Sequence, residues 1–157
     1  MSLLGLNDLQ LKLERFCAYQ ERSLFEADKK LRTLTDNEKI ITTVIKALFV
    51  RGFLNENRFV DSYVQGKVNQ KRWGKKKIKN GLINHKIPTN LINKKLSEIS
   101  PQVYQKNLLW LAQKKIKTLK KEDRDYYKKT KIMRFLYSKG YTPNDWEGIE
   151  FKDLFSS

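Results

Sequence analysis

Lys67 and Lys71 stand four residues apart, as do Lys75 and Lys79, so on a helix each pair projects from one face. Arg72, Lys76 and Lys77 widen that positive surface around a Trp73-Gly74 junction. A second lysine-rich face is spaced over Lys114, Lys117, Lys121 and Lys128. The chemistry open to such residues is electrostatic: a grip on phosphates or on acidic protein surfaces that weakens as salt rises. Trp73 is expected to pack over the start of the following helix, because tryptophan is usually mostly buried. Presentation of its ring to a ligand is the alternative.

Residues for bond-making chemistry are scarce. His85 is the only histidine, which leaves no two-histidine metal site, and it is expected at the end of a helix. Cys17 has no histidine nearby in sequence to activate it and reads as a packed helix residue. No G-x-x-x-x-G-K-[ST] stretch is present; Gly74 and Gly81 are isolated glycines. The acidic cluster Glu122-Asp123-Asp125 is explained by the preference of a helix N-terminus for negative charge. The expectation is a protein that is not an enzyme and needs no metal or other cofactor.

The charge is concentrated. The formal net charge is +16 over 157 residues. Residues 1–62 carry 10 Lys+Arg against 9 Asp+Glu, residues 63–140 carry 22 against 4, and residues 141–157 carry 1 against 4. The middle of the chain therefore holds all the excess, enough to attract polyanions. With 39% hydrophobic residues the chain is no disordered polycation. A single cysteine excludes an internal disulfide and fits a reducing compartment. The start, MSLLGLNDLQ, lacks the basic head and apolar segment of a secretory signal. No apolar run approaches the roughly 20 residues that span a bilayer. These features predict a soluble, cytoplasmic protein without a membrane partner, monomeric because its charge repels self-association.

The elements that must position these residues are helices. Leu24, Ala27, Leu31 and Leu34 recur at steps of three and four, as do Ile41, Val44, Ile45 and Leu48, and then Phe59, Val60, Tyr63 and Val64. Alternation of strand type is never sustained, so the fold class is all-α. The breaks predict helices over about 8–20, 23–34, 36–51, 56–71, 75–85, 89–98, 102–118, 123–139 and 143–149. Thr35 and Glu38 are spaced for a capping box, Gly140 for a helix C-cap, and Pro88, Pro101 and Pro143 for first turns. Leu31, Ile41, Leu48, Phe59, Tyr63, Ile78 and Leu82 are expected in the core, with Ile83 also facing inward. Leu34, Ile87 and Tyr141 open similar helix-joining segments 53 and 54 positions apart. That period suggests tandem helical units in an elongated array.

The order of residues goes further than composition. RGFLNENRFVDSYVQGKVNQKRWGKKKIKNGLINHKI, Arg51 to Ile87, resembles the signature region of the RecX family of bacterial recombination regulators. The parts that match are Gly52-Phe53-Leu54, Arg58-Phe59, Lys71-Arg72-Trp73-Gly74, Lys77-Ile78 and His85-Lys86-Ile87. Upstream, Arg22-Ser23 with Lys30-Leu31 is similar to the family's opening, although Glu26-Ala27 replaces its acidic-leucine pair. Asn55 stands where the family often has an acid, and Lys86 where it usually has glycine. The resemblance implies tandem three-helix modules forming a curved body: a leader helix at 1–22, repeats at 23–73 and 74–120, and a truncated one at 121–157. It also implies binding to the RecA filament on DNA, with inhibition of strand exchange and ATP hydrolysis. Single- or double-stranded DNA is a further candidate partner, and an autonomous DNA-binding module using the same lysines remains the alternative.

Overall fold

The computed structural model describes residues 5–155. Among them the chain forms α1 (Leu6–Tyr19), α2 (Leu24–Arg32), α3 (Glu38–Val50), α4 (Glu56–Asn69), α5 (Lys75–Asn84), α6 (Thr89–Ser97), α7 (Pro101–Ile116), α8 (Asp125–Ser138), α9 (Pro143–Trp146) and α10 (Phe151–Phe155). No described residue lies in a strand, so the all-α expectation holds. The short α10 is the element the periodicity missed. Five residues do not complete two helical turns, and such a segment has no period to read. The chain divides into two compact units, one made of residues up to Tyr63 with Leu82–Leu91, the other of Val64–Gly81 with Ile92 onward.

In the first unit α1, α2 and α3 enclose one core of Leu9, Leu13, Cys17, Ala27, Leu31, Ile41, Val44, Leu48 and Leu54. The helix expected as a leader ahead of a first repeat thus supplies three residues to the same core as α2 and α3. Burial pushes the Cys17 thiol up to about 11, which keeps it protonated and unreactive near neutrality. The capping box lies at Ser23 and Glu26 and not at Thr35 and Glu38. Glu26 N–H donates to Ser23 Oγ at 3.1 Å while Ser23 N–H donates to the Glu26 carboxylate at 3.1 Å. Asn37 caps α3 instead, because Thr35 Oγ1 is occupied in accepting from Asn37 N–H at 3.2 Å. His85, just past the last residue of α5, brings Nδ1 to 2.9 Å from Ser23 Oγ and rests its ring against Phe25, Phe59 and Tyr63. Its work is therefore packing and tethering.

In the second unit α7 packs against α8 and α10, burying Tyr104, Leu108, Leu111, Ile132, Leu136, Tyr141 and Leu154 among others. The buried Asn107 donates its Nδ2 to the Val68 carbonyl at 2.9 Å, satisfying an acceptor in the last turn of α4 that has no partner within the helix.

Three helix ends share one geometry. After α3 the N–H groups of Phe53 and Gly52 reach back to Leu48 and Phe49; after α8 those of Tyr141 and Gly140 reach Leu136 and Tyr137; after α5 those of Ile87 and Lys86 reach Leu82 and Ile83. This paired motif requires a left-handed residue at its corner. Gly52 and Gly140 supply it at φ 80° and 99°, whereas Lys86 adopts φ 62° with a side chain. The turn keeps its geometry without the glycine and carries the steric cost instead. Of the expected core residues, Leu31, Ile41, Leu48, Phe59, Ile78 and Leu82 are buried. Tyr63 is only half-buried, its ring shared with His85. Ile83 is 45% exposed, because Ile78 and Leu82 already span the inward face and Ile83 lies a further 100° round.

Candidate functional site

Trp73-Gly74 is the point where the basic helix α5 is anchored. The first-turn N–H groups of a helix lack internal partners, and so do the last-turn carbonyls of another. Here the start of α5 meets the end of α8: Gly74 N–H donates to Lys139 O at 2.7 Å and Lys76 N–H to Gly140 O at 3.1 Å. The approach is backbone to backbone, since a Cβ on Gly74 would lie 2.3 Å from the carbonyl of Gly140. Two tyrosines hold the junction from within the unit. Tyr141 donates its hydroxyl to the Arg72 carbonyl at 2.8 Å, and Tyr104 accepts from Lys75 N–H at 2.9 Å. Tyr104 in turn donates to Asp145 at 3.2 Å. Burial pushes both phenols above the usual tyrosine range, so they remain neutral hydroxyls and dependable donors.

That grip fixes Arg72 in a left-handed conformation, φ 54°, and directs its guanidinium 3.8 Å over the Trp110 ring. Lys114 lies 5.2 Å over the same ring, and Lys115 and Lys139 lie 5.4 and 5.5 Å over Phe135. Together with Lys71 these residues line one groove of about 340 Å³, completed by Gln70, Leu111 and Thr118. No carboxylate lines it, and among the described residues none of its five cations is in an ion pair. A cationic wall over an aromatic floor can hold phosphate or carboxylate groups and stack a planar ring.

The structure thus draws Lys71 and Arg72 of the first basic run and Lys114 of the second into one place. The other expected residues lie elsewhere. Trp73 is half-buried, with Lys67 and Lys77 each 4.6 Å from its ring, so it serves packing while part of its surface stays exposed. Lys75 lies over Tyr104, and Lys76 donates to the Tyr137 hydroxyl at 2.6 Å. Lys79 is half-buried on α5. Lys117 and Lys121 are exposed away from the groove. Lys128 is drawn in, its ammonium donating to the Lys121 carbonyl at 3.1 Å beside the Phe155 ring. Lys114 through Lys128 is therefore no single face. Sequence reasoning missed Trp110, Lys115 and Lys139. An aromatic interleaved with lysines on α7 was a legible signal for the first two; nothing local marks Lys139.

Residues 55–96 match the second three-helix domain of RecX, and residues 102–145 match the third. The chain belongs to the RecX family. The matched segments run over α4–α6 and α7–α9, a different framing from units at 23–73, 74–120 and 121–157. Regulatory protein RecX of Clostridium acetobutylicum is 35% identical over 130 residues, covering 81% of this chain and 59% of that one. That of Clostridium tetani is 34% identical over 137 residues, covering 87% and 61%. This RecX-family chain thus spans about three-fifths of the length of those relatives. A crystal structure of RecX from Lactobacillus salivarius shares the fold, with a TM-score of 0.84 at 24% identity over 97% of each chain. A second RecX crystal structure gives 0.79 at 23% identity, covering 94% of this chain and 73% of the other. No helix among the described residues is long and apolar enough to cross a membrane.

Proposed function

We propose that this RecX-family chain is a cytoplasmic, monomeric regulator that binds the RecA–DNA filament and inhibits the recombinase and its ATPase, using the groove of the second unit as its working surface. The observation that carries the reading is the convergence of Lys71, Arg72, Lys114, Lys115 and Lys139 with no carboxylate among them. Cations left uncompensated in a folded protein make a standing field for acidic protein surfaces and phosphates. The curated relatives bear the name regulatory protein, which fits a role exercised by binding. Among the described residues no group of three or more His, Cys, Asp or Glu side chains could hold a metal ion, and Ser23 and His85 are committed to a helix cap.

Binding measured on DNA alone and on RecA–DNA filaments across a salt series tests the reading. A filament regulator requires RecA and suppresses its ATPase below saturation of the DNA. A free-standing DNA-binding module holds bare DNA at least as well as the filament, with a steep salt slope; that result would replace the proposal.

A further inference from the structure

Trp110 is 44% exposed, although two of the groove's cations, Arg72 and Lys114, lie over its ring. An exposed indole is an expensive feature for an electrostatic contact with a flat acidic surface, which asks only for charge. The pairing of Trp110 with Arg72 at 3.8 Å has a different use. Aromatic rings and guanidinium planes are the two surfaces on which unpaired bases stack, whereas bases inside a duplex have no free face to offer. Lys71, Lys114, Lys115 and Lys139 line the same groove, and a positively charged groove beside a stacking platform is what tracks the phosphates of a single strand. Arg72 reaches its position through a backbone conformation that costs about 1–2 kcal/mol for a residue with a side chain and that Tyr141 holds by its hydrogen bond. The platform is thus built before any ligand arrives.

We infer that this groove is a single-stranded nucleic-acid subsite, in which a base stacks on the Trp110–Arg72 pair and its neighbouring phosphates meet Lys71, Lys114, Lys115 and Lys139. This rests on the reading of the groove as the working surface and adds the chemistry of what it holds. Neither Trp110, Lys115 nor Lys139 belongs to the Arg51–Ile87 signature.

The test uses the full chain without RecA and three fluorescent probes: oligothymidylate, an abasic strand of equal length, and a duplex. Oligothymidylate should bind about tenfold tighter than the abasic strand, the effect of one to two stacked bases. Trp110→Ala should erase that difference and leave abasic binding unchanged, while Trp110→Phe should retain most of it. Should Trp110→Ala fail to fold, the comparison of the two strands on the unaltered chain decides alone. Equal affinity for the abasic strand, tighter binding of the duplex, or displacement by polyglutamate at matched charge would each overturn the inference, the last in favour of an acidic protein partner. Filament ATPase is read separately. A chain that discriminates the strands but leaves RecA active sinks the proposed function and spares the subsite; one that inhibits RecA without discriminating them does the reverse.

Discussion

In the first unit 11 Lys+Arg stand against 9 Asp+Glu, and in the second 22 stand against 8. The manner of their use differs more than the numbers. Arg22, Arg32, Arg51 and Arg58 of the first unit reach Glu26, Asp28 with Glu38, Glu14 and Glu21 respectively. Those charges neutralise one another and leave little field. In the second unit Arg72, Lys75, Lys76, Lys77, Lys114, Lys115 and Lys139 lie over Trp73, Trp110, Tyr104, Tyr137 or Phe135 instead. A ring face orients a cation for about 0.5–1 kcal/mol at an exposed site without cancelling its charge. Positive charge is thus directed but not neutralised in the second unit, and largely paired in the first; the proposed role in meeting a polyanion rests on that difference.

The comparison breaks most easily at the anchor of the basic helix. Gly74→Ala forces a methyl group into the backbone of Gly140, and denaturant unfolding should register a loss of about 4 kcal/mol. A variant as stable as the parent would mean that α5 and α8 do not meet there. Leu48→Ala attacks the first unit at a fully buried position and should cost about 3 kcal/mol through the cavity it leaves. Lys86→Gly works in the opposite direction. It removes the steric cost of φ 62° and should raise stability by about 1 kcal/mol in the same assay, less if the unfolded chain gains much freedom. Removing one paired charge, as in Glu21→Gln beside the half-exposed Arg58, should cost no more than about 1 kcal/mol; a larger loss would make the first unit's pairs structural supports. The smallest effect is alkaline. Because Cys17 is held at about 11, above its unfolded value, its contribution is complete below pH 9 and should fade as pH rises toward 11. Cys17→Ser should flatten that part of the stability–pH curve.

Much of this was legible in the residues. Helical spacing placed Leu31, Ile41, Leu48, Ile78 and Leu82 inside, because the 3.6-residue period reports which side of a helix avoids water. The same period says nothing of which helix lies opposite. Gly74 was plainly a junction glycine, yet its reason is Gly140, 66 positions away. Lys114 and Lys128 carry the same charge and lie on neighbouring elements, but a carbonyl and the Phe155 ring draw only Lys128 inward. Lys139 enters the groove because the turn at Gly140 sets it there, a fact of long-range packing with no local signature. Thr35 had the right spacing for a cap, but its hydroxyl accepts one residue earlier, from Asn37 N–H.

The central claim is that the groove of the second unit, and not net charge in general, does the work. Lys71, Lys114 and Lys115 changed together to glutamate should be compared with Lys29, Lys39 and Lys46 of the first unit changed in the same way, since both triples alter the net charge equally. Circular dichroism establishes that each stays helical, and RecA ATPase on single-stranded DNA is then titrated with each. The groove variant should lose inhibition while the first-unit variant keeps it. Equal loss in both, or a groove variant as potent as the parent, would contradict the account.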